Sequence, residues 1–324
     1  MNRILLCISV LLAAACSRID LQDELAKQNS NAWLTSVPDA TLLTRLSIPG
    51  AHDAASCTIK TLSLFTRTQE LNIAELWACG VRAFDLRPAW KDGTLGIYHD
   101  RYDAEVSFQH IVNTLIIALR QDPGEFAIIL VRHEQEADDN DPDWPSAMGS
   151  YLGSASEMLV SYNPGLTVGD LRGKILLLSR NEYEGGPHGG YIRGWNSGTD
   201  ISAQQGASVQ SADGNTYPLW VQDFYDPSKA EQKWDEVRDM LDATAAATAP
   251  YPLVINHASG YLGGSIPDYR GNARSINASL VDYLSSSTAP AGIVMMDFAG
   301  ASQSRGVQIS GDALVQALIK QNRK

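Results

Sequence analysis

Apolar positions along the chain follow two alternating rhythms. Short, nearly unbroken apolar runs occur at residues 43–48, 81–87, 94–99, 126–133, 174–180, 219–224, 253–257 and 292–298. Between them lie longer stretches, at 68–79, 108–121, 229–247, 273–285 and 311–321, with apolar residues three and four places apart. Ile111, Leu115, Ala118 and Leu119 show that helical spacing in the second of these. Strands that are apolar on both faces suit a parallel sheet covered on both sides. Eight such runs alternating with helices predict an α/β fold: a single-domain, TIM-type (β/α)8 barrel. The barrel should be irregular, because residues 90–96, between the second and third runs, are too few for a crossover helix.

Composition narrows what such a barrel can bind. The chain has 324 residues, 44% of them apolar and 19% charged, the balance of a globular protein. A formal charge of −12 excludes the broad basic surface that nucleic acid requires, and it opposes general adhesion to anionic lipid. Any phosphate site must therefore be a local positive pocket in an acidic body. No Walker loop, zinc spacing, dinucleotide fingerprint or internal repeat is present.

The N-terminus is organised for export. Met1-Asn2-Arg3 precedes an apolar run from Ile4 to Ala15, too short to span a bilayer, and Cys16 follows. The run Leu12-Ala13-Ala14-Ala15-Cys16 resembles a bacterial lipoprotein cleavage site, with Cys16 as the lipidated residue. An ordinary signal peptide cut near Ala15 would export the chain equally. The expected organisation is a signal segment over 1–16, a polar tether over 17–32 and a catalytic barrel over 33–324. Cys57 and Cys79 then remain. They fall after the first strand and before the second, at opposite ends of a sheet roughly 17–20 Å deep, too far for a disulfide. The acidic run from Glu134 to Asp143 lacks the glycine turn and closing glutamate of a calcium loop, and reads as solvated.

The chemistry gathers where the strands end, the face on which barrel enzymes build their sites. His52 and Asp53 follow the first run, and Asp85 and Arg87 close the second. His99 ends the third. Arg132 and Glu134 stand at the end of the fourth, Arg180 at the end of the fifth, Asp223 and Tyr225 at the end of the sixth, and Asp297 at the end of the eighth. Two imidazoles can act as base and acid near neutral pH. A guanidinium can stabilise a phosphorane, and carboxylates can orient and charge the imidazoles.

Three segments carry a resemblance: Ser47-Ile48-Pro49-Gly50-Ala51-His52-Asp53, Gly80-Val81-Arg82-Ala83-Phe84-Asp85-Leu86-Arg87 and Gly96-Ile97-Tyr98-His99. In order and spacing they resemble the X-region of the bacterial phosphatidylinositol-specific phospholipases C. Ser179-Arg180, Val221-Gln222-Asp223-Phe224-Tyr225 and Val294-Met295-Met296-Asp297-Phe298 extend it to the C-terminal part. The resemblance implies His52 as general base toward the inositol 2-hydroxyl, paired with Asp297. It implies Arg87 on the phosphoryl oxygen, supported by Asp85, and His99 as general acid, paired with Asp53. Arg180, Asp223, Tyr225, Arg132 and Glu134, with Trp195, would line the inositol pocket. The products would be inositol 1,2-cyclic phosphate and diacylglycerol. The implied partner is a phosphatidylinositol-type lipid at a membrane surface, met by a monomer with no cofactor. Calcium-dependent relatives carry a carboxylate where Arg87 stands and an asparagine where Asp53 stands, so the resemblance also implies metal independence.

Other residues read less sharply. His257 is expected to be a satisfied core or rim histidine, and His110 and His188 surface residues. Residues 58–67 read equally as a lipid-inserting rim helix or as ordinary packing. A glycerophosphodiester-type barrel would need a metal-binding Glu-x-Asp where Asp85-x-Arg87 stands. A catalytically dead lipid-binding scaffold would have lost His52, Arg87 or His99, and all three are present.

Overall fold

Strands form where branched and long aliphatic residues run together, and their pairing follows from burial on both faces. The barrel strands are β1 (Ser47–Ala51) and β2 (Ala83–Leu86), then, after three further strands, β6 (Ala127–Val131), β7 (Ile175–Ser179), β8 (Gly190–Arg193), β9 (Ala207–Ser211), β10 (Thr216–Gln222), β11 (Leu253–His257) and β12 (Gly292–Met296). The computed structural model describes residues 31–138, 141–195, 198, 207–263 and 266–323. Among them these nine strands close in the order β1-β12-β11-β10-β9-β8-β7-β6-β2, and β2 pairs back onto β1. All pairings are parallel except those of β9, which is antiparallel to both neighbours. Helices Ile73–Cys79, Phe108–Gln121, Ala230–Ala246, Tyr269–Ser286 and Gly311–Gln321 accompany the barrel. The expected single-domain TIM-type barrel is therefore observed, with one strand more than expected.

The departures from the expected pattern have local causes. Residues 94–99 are not a barrel strand. β3 (Pro88–Lys91), β4 (Thr94–His99) and β5 (Tyr102–Ser107) form a separate antiparallel sheet. β3 follows directly from β2, with one residue, Arg87, between them. The pair β8 and β9, with the polar Gln210 and Ser211, lacks the aliphatic run of its neighbours and was not anticipated. The first strand begins later than residue 43, because Leu43–Arg45 form a 3-10 turn. The helix expected from residue 68 starts at Ile73, where Asn72 and Glu75 make a reciprocal capping box.

Close strand contact explains one motif residue. A Cβ at Gly50 would lie 2.4 Å from Met295 Sδ and 3.1 Å from the Val294 carbonyl, so β1 can approach β12 only with glycine there. Away from the site end, one buried ion pair joins several segments. The Arg82 Nε donates to Glu125 at 2.8 Å, while its other nitrogens donate to the carbonyls of Trp77, Val81 and Asn31. Glu125 also accepts the backbone N–H of Thr35 at 2.9 Å. Both charges are fully buried. Removing one partner of such a pair strands the other, at about 3–5 kcal/mol. Arg82→Leu should lower stability by about that amount, read as a shift of the denaturant midpoint; a loss under about 1 kcal/mol would show that the pair does not hold the lower barrel together.

Candidate active site

The strand ends and the β3–β5 sheet bring the predicted residues to one cavity of about 490 Å3. Its walls include His52, Asp53, Asp85, Arg87, His99, Arg132, Arg180, Trp195, Asp223 and Tyr225. His52 and Asp297 directly follow β1 and β12, neighbouring strands in the barrel. Arg87 sits at the junction of β2 and β3, and its carbonyl accepts the N–H of Tyr98, so β4 returns His99 beside the same cavity. Three residues that follow site residues take left-handed backbone: Asp53 (φ 42), Asp100 (φ 52) and Phe298 (φ 54). Aspartate tolerates that region; phenylalanine rarely visits it. Such outliers gather where a site demands a sharp departure from the strand.

One imidazole meets the guanidinium directly, and the second is joined to it through a carboxylate. His52 Nδ1 lies 2.8 Å from Asp297 Oδ1, and Asp297 Oδ2 accepts the Gly260 N–H at 3.0 Å. His52 Nε2 lies 2.8 Å from the terminal Nη2 of Arg87. The Arg87 Nε lies 2.7 Å from Asp53 Oδ1, and Nη2 reaches Asp85 at 3.4 Å. The second oxygen of Asp53 lies 2.9 Å from His99 Nδ1, so one carboxylate joins the arginine to the second histidine. Asp85 accepts the Asp53 N–H at 3.2 Å and fixes that bridge.

The electrostatics follow from burial against charge. Burial opposes a charged His52, yet Asp53 and Asp297 outweigh it and hold its pKa up at about 9, with Arg87 opposing them. Burial likewise works against the Asp53 carboxylate, but Arg87 and both histidines hold it well below the usual range. Burial disfavours the Arg87 charge, and Asp53, Asp85 and Glu134 more than restore it.

Around this centre is a polar ring pocket. Trp195 Nε1 donates to Asp223 Oδ2 at 2.9 Å, and Arg180 lies over the indole at 4.6 Å. Burial lowers the Arg180 pKa to about 10. Tyr225 and the half-exposed Arg132 also line the wall. Glu134 does not line the cavity. It is buried, with carboxylate oxygens 3.9 Å from Arg87 and 3.8 Å from Arg132, and burial pushes its carboxyl up to about 8.

Sequence reading missed several residues. His257, expected to be bland, lines the cavity. Its Nδ1 is 2.9 Å from Ser259 Oγ, and its ring meets His52 and Trp195 edge-on. Burial lowers its pKa to about 4, so it is neutral. Its place after Asn256 at a strand end was a signal, though one without a partner legible in sequence. Tyr269, which opens helix Tyr269–Ser286, also lines the cavity and carried no signal. Lys233 is buried behind the wall, donating to Gln222 Oε1 and the Phe224 carbonyl. Cys57 and Cys79 are free thiols, as expected.

His52, Asp53 and Asp85 bring three donor atoms within 4.8 Å of one another. The Arg87 guanidinium already contacts all three residues. A divalent cation among them would face that fixed charge at a few ångströms. Asp100, Glu134 and Glu136 form a second acidic group, with Arg87 and Arg132 beside Glu134.

A closed barrel with two carboxylate-paired imidazoles about a buried guanidinium defines a class, and the chain is similar over most of its length to the bacterial phosphatidylinositol-specific phospholipases C. It is 28% identical over 277 residues to the 1-phosphatidylinositol phosphodiesterase of Listeria monocytogenes, covering 82% of this chain and 80% of that protein. The Staphylococcus aureus (strain Newman) protein of the same name is 25% identical over 307 residues, covering 86% and 91%. The phosphatidylinositol-specific phospholipase C from Listeria monocytogenes superposes with a TM-score of 0.69 at 23% identity, covering 89% of this chain and 97% of that one, which establishes the shared fold. No protein-family model matches the chain.

The raised pKa of His52 has a consequence for stability. Its folded value of about 9 exceeds the free value of 6.5, so the folded state favours the charged ring. That contribution is complete below pH 6.5 and is lost as pH rises through about 9. His52→Gln should flatten the fall in stability across that window, and Asp297→Asn should lower the ring pKa. Imidazole NMR titration checks this; a His52 pKa at or below 6.5 in the intact protein would contradict it.

Proposed function

We propose that the chain cleaves phosphatidylinositol, or a glycosylated phosphatidylinositol, to inositol 1,2-cyclic phosphate and diacylglycerol. The observation that carries the reading is the linkage of both imidazoles to Arg87, His52 directly while paired with Asp297, and His99 through Asp53. His52 takes the 2-hydroxyl proton through Nε2 while Asp297 holds Nδ1–H; the reacting ring is the neutral form, which the Arg87 contact at Nε2 favours and which gains population as pH rises toward about 9. The 2-oxygen attacks phosphorus, and Arg87 stabilises the charge that builds on the phosphoryl oxygens. His99 gives its proton to the departing glycerol oxygen, with Asp53 facing its Nδ1. An intramolecular nucleophile gains proximity worth about 7–11 kcal/mol in the best oriented cases, which lets the site work without activating water.

Arg180, Asp223, Trp195, Tyr225 and Arg132 hold the inositol ring; Asp85 and Glu134 act through Arg87. Arg87 stands among the donors a metal would need, which supports a metal-independent reaction. The N-terminal segment 1–16, with Cys16, and most of the tether 17–32 lie outside the described residues. Their sequence supports an exported protein, anchored through Cys16, that meets its lipid outside the cytoplasm. No helix among the described residues is long and apolar enough to cross a membrane.

The cavity mouth supports a lipid-surface substrate. Among the described residues the exposed large apolar side chains are Leu62, Leu64, Tyr225 and Ile266. Tyr225 lines the cavity, Leu64 precedes the lining residue Phe65, and Ile266 precedes the lining residue Pro267. Arg270 Nη1 donates to the Leu64 carbonyl at 3.2 Å, which holds helix Tyr269–Ser286 against helix Ser63–Thr66. Apolar side chains gathered around a polar cleft suit insertion among acyl chains.

Vesicle assays test the reading. Phosphatidylinositol should be cleaved in excess chelator, while choline and ethanolamine lipids should stay intact. His52→Ala and His99→Ala should each lose about 10²–10⁴-fold in turnover. Activity restored by calcium alone, or near-normal turnover in either variant, would overturn it. Leu64→Glu with Ile266→Glu should weaken vesicle binding and spare turnover of a soluble short-chain substrate; unchanged binding would remove the rim from the account.

A further inference from the structure

His99 has a second polar neighbour that the acid–base scheme does not use. Asp53, held ionised by Arg87 and the histidines, faces Nδ1 at 2.9 Å, so Nδ1 keeps a proton whether the ring is charged or neutral. Nε2 is therefore the nitrogen whose proton comes and goes. The Tyr269 hydroxyl lies 3.4 Å from that Nε2, with the two rings edge to face at 6.1 Å and 79°. Hydrogen bonds of this kind are often long before substrate binds, and tighten in the reacting complex.

The phenol is held from several sides. Tyr269 is 6% exposed and opens helix Tyr269–Ser286. Asp268 accepts the Gly271 N–H and caps that helix. The next residue, Arg270, is tied to Ser304 Oγ at 2.7 Å and to the Leu64 carbonyl. Tyr261 packs edge-on against the ring at 5.6 Å. Burial, with Asp53 and Asp297 nearby, raises the phenol's pKa, so it stays a neutral donor and acceptor.

We propose that Tyr269 is a positioning residue for the acid step, its hydroxyl fixing the plane of His99 so that Nε2–H points at the leaving oxygen. The proposal rests on the reading of His99 as general acid. An imidazole anchored at Nδ1 alone can turn about that contact; a second contact at Nε2 removes the freedom. Before substrate binds, Nε2–H donates to the tyrosine oxygen; with substrate in place the same N–H is shared between that oxygen and the glycerol oxygen. As the bond from phosphorus to the glycerol oxygen breaks, that oxygen takes the Nε2 proton. His99 is left neutral, and its Nε2 lone pair then accepts the Tyr269 O–H. No other donor or acceptor is needed to balance the step.

Leaving-group dependence separates this role from plain packing. Tyr269→Phe keeps the ring and its edge contacts and deletes the hydroxyl. On phosphatidylinositol its kcat should fall roughly tenfold, the worth of one well-placed hydrogen bond, with KM unchanged. On an inositol phosphodiester with a nitrophenol leaving group, which departs without a proton, kcat should stay near wild type. Equal losses on both substrates, or no loss on either, would overturn the role of Tyr269. His99→Ala, assayed alongside, should show the same selectivity more strongly; if it shows none, the acid reading itself fails. Nitrogen NMR of His99 gives an independent readout. The Nε2 shift should move in Tyr269→Phe while Nδ1 stays put, and an unmoved Nε2 would overturn the contact.

Discussion

A guanidinium removed from bulk water is the constraint around which the site is arranged. Arg87 can stay charged there because Asp53 and Asp85 sit against it, and a buried charge without such partners would cost several kcal/mol. The same carboxylates then act on the histidines. Asp53 spans Arg87 and His99, and its charge also reaches His52. Changing Arg87 would thus release Asp53, alter both imidazoles and expose His52 Nε2 at once. The local positive charge in the cavity of this acidic chain is an arginine locked by acids rather than a basic patch.

The barrel supplies rigid positions for this cluster. His52 and Asp297 leave neighbouring parallel strands, and left-handed turns at Asp53 and Phe298 lead the chain away immediately afterwards. The strain at Phe298 is borne by a fully buried ring with Arg270 over it at 5.0 Å. Stability is concentrated elsewhere, in the aliphatic walls of β6, β7, β11 and β12 and in the buried pair of Arg82 and Glu125. Separating the two lets the site keep partnerless polar atoms, such as Nε2 of His257, without unfolding the barrel.

How far this was legible in the sequence depended on which physical signal each element carried. Ala-Ile-Ile-Leu-Val in β6 and Ile-Leu-Leu-Leu in β7 announce strands buried on both faces, and those strands lie where the pattern put them. β8 and β9 carry polar residues and were missed. The run at 94–99 looked like a barrel strand because apolar content does not distinguish a parallel wall from an antiparallel excursion; Lys91 to Thr94 is a hairpin. The excursion still delivers His99, so its placement survived the wrong topology. His52, Arg87, His99, Asp53, Asp85 and Asp297 were recoverable because each lies at a strand end in a spaced motif. Tyr269 and His257 were not, since their meaning comes from neighbours 170 and 34 positions away in sequence, His99 and Asp223. Glu134 was placed on the right loop but on the wrong side of Arg87.

The central claim is that the substrate's own hydroxyl, freed of its proton by His52, attacks phosphorus beside Arg87. Time-resolved phosphorus NMR of phosphatidylinositol turnover by the protein tests it most directly. The account predicts that the first product is a five-membered cyclic phosphate, present before any inositol 1-phosphate. Early appearance of the acyclic phosphate with no cyclic precursor would mean that water is the nucleophile, and the role assigned to His52 would be wrong.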